Sequence, residues 1–314
     1  MKKKSFCRLL RLIPLPLLAA PLFFASCSSD DSMTPIDEVK TPQRPISVEV
    51  SETPFGNTTE ARQLTRAAIT DLTSFSAFKM TANKDNLSVE KKNGKWEVDG
   101  SWPVDDNTPV NFYAYSNYSN GTNGTYNDNS GTPYISFIMD ENASAQHDLL
   151  VATNTVSFND HQGKVPLTFD HACAALAFNV QITNKLKTDK LSNSSLTVNS
   201  IVLRNVSNTG NYYFGSSFES STWGDVKASD DPKTPPHYTL TNGDIIVANT
   251  PQALSSNYLF VIPQTRAVNG TTGTYLEINY TLSGSKQATI PLAVDWEAGS
   301  KYTINIKLGT TLIQ

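Results

Sequence analysis

This sequence predicts an all-β fold made of antiparallel β-sandwiches, and three observations carry that prediction. Short runs rich in Val, Ile, Tyr, Phe and Thr alternate with polar residues, the period of a strand with one buried face. Gly, Pro, Asn and Asp stand between the runs, where they supply turn conformations that other residues resist. Helical spacing competes in one window, Thr58 to Leu72, where Leu64, Ala68 and Leu72 recur on one face. At 314 residues the chain is long enough for two domains of ordinary size.

Ile46-Ser-Val-Glu-Val50 alternates cleanly and is the first expected strand. The next are expected over Phe75–Thr81, Lys95–Val98, Val110–Tyr115, Ile135–Met139 and Leu149–Thr153. Between Ser116 and Pro133 the chain is rich in Asn, Gly and Ser, lacks core-forming residues and reads as a surface loop. Lys164 to Ile182 is the longest nearly uninterrupted apolar run outside the N-terminus. It reads as the opening strand of a second sandwich, with Phe178, Val180 and Ile182 on one side. Further strands are expected over Leu196–Asn205, Tyr238–Leu240, Asp244–Ala248, Tyr258–Ile262, Tyr275–Leu282, Ala288–Ala293 and Lys301–Leu308. Gly215 to Pro236 reads as a second long loop, and Gly299 as the turn before the last strand.

The N-terminus is an address. Lys2, Lys3, Lys4, Arg8 and Arg11 form a basic region, followed by an apolar run from Leu12 to Ala25 that is too short to span a bilayer. It ends Phe24-Ala-Ser-Cys27, small residues just before a cysteine, which resembles a bacterial lipoprotein box. The implied chemistry is diacylglycerol on Cys27, cleavage before it and acylation of the new terminus. Several acyl chains hold a protein on a membrane, since each buried methylene adds roughly 0.8 kcal/mol. The alternative is an ordinary signal peptide cut near Ala25. Ser28-Ser-Asp-Asp31 resembles the acidic tag of surface-exposed lipoproteins of Bacteroides-type bacteria, and Ser32 to about Pro45 reads as a flexible tether.

Charge and cysteine usage exclude some classes. The net charge is −4 and the mature part has no Lys/Arg cluster, so no nucleic-acid partner is expected. Of the three cysteines, Cys7 lies in the signal and Cys27 is the lipid site, which leaves Cys173 and no intrachain disulfide. His147, His161, His171 and Cys173 are the residue types of a catalytic or metal site. No second cysteine, His-Glu signature or Gly-rich nucleophile turn accompanies them, so a buried Cys173 and a hydrogen-bonded His171 are expected instead. Carboxylate doublets such as Asp105-Asp106 and Asp230-Asp231 suit turns, and Trp96, Trp102 and Trp296 suit packing. No catalytic residue, metal or cofactor is expected.

Several pieces, in order along the chain, resemble the fimbrillin family of Bacteroides-type bacteria, whose members build or cap type V pili. They are the box at Cys27, Thr65-Arg-Ala67, Trp102-Pro103 and Val110-Asn-Phe-Tyr-Ala-Tyr115. Asp148-Leu-Leu-Val-Ala152, Val165-Pro-Leu-Thr-Phe-Asp-His171 and Trp296-Glu-Ala-Gly-Ser-Lys-Tyr302 follow. The resemblance implies two transthyretin-like antiparallel β-sandwich domains in tandem. It divides the chain into a lipoprotein signal peptide (1–26), a tether (27–45), an N-terminal sandwich (46–161) and a C-terminal sandwich (162–314). It further implies an outer-membrane, surface-exposed lipoprotein acting as a tip, accessory or structural subunit of a fimbrium in cell adhesion. Its partners would be the membrane through Cys27, other pilus subunits through donor-strand pairing, and host or bacterial surface ligands. In assembling members an Arg-specific protease removes the first strand. Here that makes Arg66, with Arg62 second, the expected cleavage site and Ile46 to Val50 the strand released. The other expectation is a stand-alone surface lipoprotein that binds a glycan or host ligand without pilus assembly.

Overall fold

Burial alternates along the strands, and that alternation assembles the layers: in Val110–Ser116 every second residue is buried. The structure is a computed structural model and describes residues 44–57, 72–80, 84–103, 105–116, 124–127, 132–191, 195–227, 237–255, 257–264, 273–282, 284–293 and 295–310. The first strands are β1 (Ser47–Glu52), β2 (Gly56–Asn57), β3 (Ser74–Met80), β4 (Lys84–Lys92) and β5 (Lys95–Asp99). Next come β6 (Val110–Ser116), β7 (Gly124–Asn127), β8 (Tyr134–Ile138), β9 (Leu150–Val156) and β10 (Lys164–His171). They are followed by β11 (Ala174–Ile182), β12 (Leu196–Arg204), β13 (Thr209–Tyr213), β14 (Thr222–Lys227) and β15 (His237–Val247). The last are β16 (Gln252–Ala253), β17 (Leu259–Val261), β18 (Tyr275–Thr281), β19 (Ser285–Pro291) and β20 (Ser300–Leu308). A short helix, α1 (Phe158–His161), joins β9 to β10, and α2 (Asn184–Leu186) follows β11 and runs on as a π-helical turn over Lys187–Leu191.

The first sheet has seven strands in the order β1-β10-β9-β6-β3-β4-β5. Neighbours are antiparallel except β1, which lies parallel to β10, from Ser47 opposite Lys164 to Glu52 opposite Phe169. The Asn93-Gly94 turn between β4 and β5 has φ of 50° and 77°, the left-handed pair that matches strand twist in a two-residue hairpin. The sheet curls until its two edges meet. Pro45 bridges Ser101, the Ile46 N–H donates to the Gly100 carbonyl at 3.1 Å, and the Trp102 N–H donates to the Arg44 carbonyl at 2.9 Å. Inside the curl lie Ile46, Phe75, Val89, Trp102, Phe112, Leu167 and Phe169, a single apolar cluster.

Two other sheets share a second, larger cluster. One runs β16-β11-β20-β2, with β17 also on β11, and the other runs β15-β12-β18-β19. Leu176, Phe178, Val180 and Ile182 of β11, Ile201 and Leu203 of β12, and Leu276 and Ile278 of β18 meet in that cluster. A fourth sheet, β14-β13-β8-β7, adds Ile135, Phe137 and Tyr212 to it, as β3 adds Phe78. Residues Gln43–Gln314 group as one compact unit.

The run from Lys164 to Ile182, expected as one strand, is two. β10 belongs to the first sheet and β11 to the second, and Ala172-Cys173 carries the chain between them. Both sides of that step are fully buried, so hydrophobicity alone did not mark the break. The boundary expected at residue 161 falls in α1, between β9 and β10 of the same sheet. The two expected loops each contain a strand, β7 in the first and β14 in the second. β15 joins what the sequence divides at Asn242-Gly243. The helical window at residues 58–71 and the signal and tether through residue 43 lie outside the described residues.

Candidate functional site

The segment from Arg44 to Asn57 is the feature that the rest of the fold is built to hold. Along β1 the side chains of Val48, Val50 and Glu52 turn inward, following the buried Ile46, while Ser47, Glu49 and Ser51 face out. Ile46, Val48 and Val50 pack on the first core. Full burial of a residue such as Ile46 stabilises by about 1.5–3 kcal/mol. On the outer face Glu49 meets Lys164 Nζ at 2.8 Å, and the Ser51 and Thr168 hydroxyls lie 3.0 Å apart.

Both ends of the segment are pinned by side chains of the body. At the first end the Arg44 guanidinium pairs with Asp106, donates to the Pro103 carbonyl and lies over the Phe158 ring, 4.5 Å from its centroid. Phe158 is positioned by α1, whose capping box joins Ser157 to Asp160. Trp102 packs edge-on against Phe158 and donates from its indole nitrogen to the Gly163 carbonyl at 2.9 Å.

At the other end Glu52 reaches His171 Nε2 at 2.9 Å, and His171 Nδ1 faces the buried Asp148. Both ring nitrogens therefore face carboxylate oxygens, an arrangement that calls for a proton on each nitrogen or one on a carboxyl. Burial pushes the Asp148 carboxyl up, only partly offset by its contact with His171. The Phe55 ring stacks on the imidazole, centroids 3.6 Å apart and 18° from parallel, and faces Phe260 beyond. The main chain then crosses to the second sheet. The Thr53 N–H donates to the Phe169 carbonyl at 2.9 Å, and the Gly56 N–H donates to the Gly299 carbonyl at 2.8 Å, which brings β2 alongside β20. Gly299 takes the turn expected of it, with φ of 67°.

Cys173 is fully buried as expected, and His171 is bonded to carboxylates rather than to the thiol. Burial, reinforced by the nearby Asp148 carboxylate, pushes the thiol up and away from the thiolate that nucleophilic chemistry needs. His147 is exposed and His161 ends α1, so the four residues do not converge. Among the described residues no group of three or more His, Cys, Asp or Glu side chains is placed to hold a metal ion, and no helix is long and apolar enough to cross a membrane. Cys27, Arg62 and Arg66 lie outside the described residues. Sequence reasoning singled out His171, and Asp148 only as the start of a family stretch, but not Glu52 or Phe55, its other contacts. The signal available was the break in β1's apolar alternation at Glu52.

A family model described as fimbrillin-like matches residues 56–314. The chain belongs to the fimbrillin-like family. Solved structures agree on the fold. A fimbrial protein from Bacteroides vulgatus is 17% identical with a TM-score of 0.59, covering 86% of this chain and 96% of its own. A candidate cell adhesion protein from Bacteroides ovatus is 17% identical with a TM-score of 0.51, covering 85% and 93%. No curated protein matches. In this fimbrillin-like chain the matched region begins at Gly56, so the segment that the body grips lies almost wholly before it.

Proposed function

We propose that this fimbrillin-like protein is an outer-membrane lipoprotein, anchored through Cys27, that serves as a fimbrial subunit in cell adhesion. Cleavage after Arg66 frees the segment carrying β1 and β2, and a strand from a neighbouring subunit takes its place. The observation that carries this reading is the position of β1, parallel to β10 on one side, with the residues just before it, Arg44 to Ile46, bonded to Gly100–Trp102 on the other. Removal of such a strand opens a closed sheet, exposing backbone groups along β10 and the apolar residues beneath. An incoming strand satisfies both. In sequence the cut falls between β2 and β3, so it separates the gripped segment from everything that grips it.

N-terminal sequencing of the protein from fimbriated cells tests the cut, with a start at Ala67 expected in the assembled form. Normal assembly of an Arg66→Ala protein would overturn it. Cys27→Ala is expected to move the protein from the membrane fraction to the soluble one. A glycan-binding role is favoured by one feature, a cavity of about 570 Å³ lined by Phe178, Leu254 and Tyr258 with Ser144, Thr241 and Ser255 around them. Retention on a glycan array by protein from cells with normal fimbriae would support that second role.

A further inference from the structure

We infer that the cleft holding β1 selects its occupant by the groups that meet it at both ends. It takes a strand with a basic residue at the start, a carboxylate eight residues on and an aromatic ring three residues beyond that. This rests on the strand-replacement reading above and names the kind of strand that can enter.

The apolar middle of the cleft leaves the register of its occupant undecided. Ile46, Val48 and Val50 recur every second residue, and their three pockets accept almost any alternating apolar strand. A slip of one residue turns such a strand inside out and is forbidden. A slip of two puts branched side chains back into branched-side-chain pockets. Register in steps of two therefore has to be read elsewhere, and the ends supply it.

The two end sockets differ in the groups they offer. One presents the Asp106 carboxylate, the Pro103 carbonyl and the Phe158 ring face, all suited to a guanidinium. The other presents the His171 ring, held from behind by Asp148, with Phe260 alongside. Glu52 bonds that ring at its edge and Phe55 covers its face. The sockets are separated by the length of β1, so a strand slipped by two residues misses both. A strand running the opposite way sets a carboxylate against Asp106 and a guanidinium against the His171 ring.

The halves of each contact also fall on opposite sides of the proposed cut. Arg44, Glu52 and Phe55 precede Arg66, whereas Pro103, Asp106, Asp148, Phe158, His171 and Phe260 follow it. Once the segment leaves, both sockets stay with the body, ready to test the next strand.

The test uses the chain with a specific protease site in place of residues 61–66, cut and then challenged with labelled peptides. A peptide of the native sequence 44–57 should displace the resident segment. Peptides with Glu52→Gln, Phe55→Ala or Arg44→Met should each bind about tenfold more weakly or worse. In a His171→Gln body the preference for Glu over Gln at position 52 should vanish. The peptide arms use the unaltered body, so they decide the matter even where that variant does not fold. Variant peptides binding within about twofold of the native one would overturn end selection and leave strand replacement standing. Failure of the native peptide to enter would overturn both.

Discussion

Arg204 on β12 reaches Glu277 on β18 through two bonds, Nη2 to Oε1 at 2.9 Å and Nε to Oε2 at 3.1 Å, with both residues half-buried. The guanidinium holds the Glu277 carboxyl below its usual range, and burial opposes the effect only in part. A carboxyl lowered in the folded state stabilises above its unfolded value, about 4.3, and that stabilisation is lost as pH falls through the lower folded value. Partial exposure discounts the pair, so Glu277→Gln is expected to cost about 1 kcal/mol at pH 7. The gap to the parent should close in more acid solution. Urea unfolding at neutral and acid pH measures it, and a gap that persists below the folded value would assign the cost to packing instead. At this scale the sequence showed which residues were unusual but not what they touched. His171 stands out in an apolar run. Its contact with Glu52, 119 positions earlier, comes from the parallel placement of β1, and that with Asp148 from the antiparallel pairing of β9 with β10, neither of which a local pattern encodes.

Strands with rich apolar alternation, such as β6, β12 and β18, were legible from composition, because half their residues face a core. β4 and β14 were not. β4 buries only Leu87 and Val89 among its residues whose burial is defined. β14 carries no fully buried residue and contains Gly224, on which a Cβ would come within 2.8 Å of the Tyr213 ring. Such a strand is specified by its neighbour rather than by its own sequence. The turn that leads into β14 is also a packing element. A Cβ on Gly215 would lie 2.5 Å from the Ser220 carbonyl carbon and 2.6 Å from its oxygen, main-chain atoms that cannot rotate away. Gly215→Ala should therefore cost about 1–3 kcal/mol by forcing the turn apart. Gly243→Ala, where a Cβ would have nothing within 4 Å, serves as the control and should be close to neutral. Thermal unfolding of the two variants beside the parent checks the contrast, and equal losses would mean that the turn is not tightly packed.

Across the whole molecule, several of the family-marking stretches among the described residues turn out to surround one segment. Trp102-Pro103 closes the first sheet on the residues just before β1 and helps hold Arg44; His171, backed by Asp148, receives Glu52; and Gly299 takes the N–H of Gly56. Their order was legible in the sequence, but their convergence required the curl of the first sheet and the step at Ala172-Cys173. The same connectivity bears on how the chain folds. β8 precedes residue 161 and β13 follows it, yet they pair from Thr209 opposite Ile138 to Tyr213 opposite Tyr134. β10 also follows residue 161 and pairs with β9 and β1, and Phe78 of β3 sits in the larger core. Residues 162–314 alone would keep β10 without its sheet and leave β13 without one neighbour, exposing Leu167, Phe169 and Tyr212, all buried in the intact chain. Such a fragment should bind a hydrophobic dye and melt without a sharp transition, whereas the chain from residue 44 onward should unfold in one cooperative step by both tryptophan fluorescence and circular dichroism. Two separated transitions in the longer chain, or a sharp melt of the fragment, would show instead that the strands shared across residue 161 contribute little to either half.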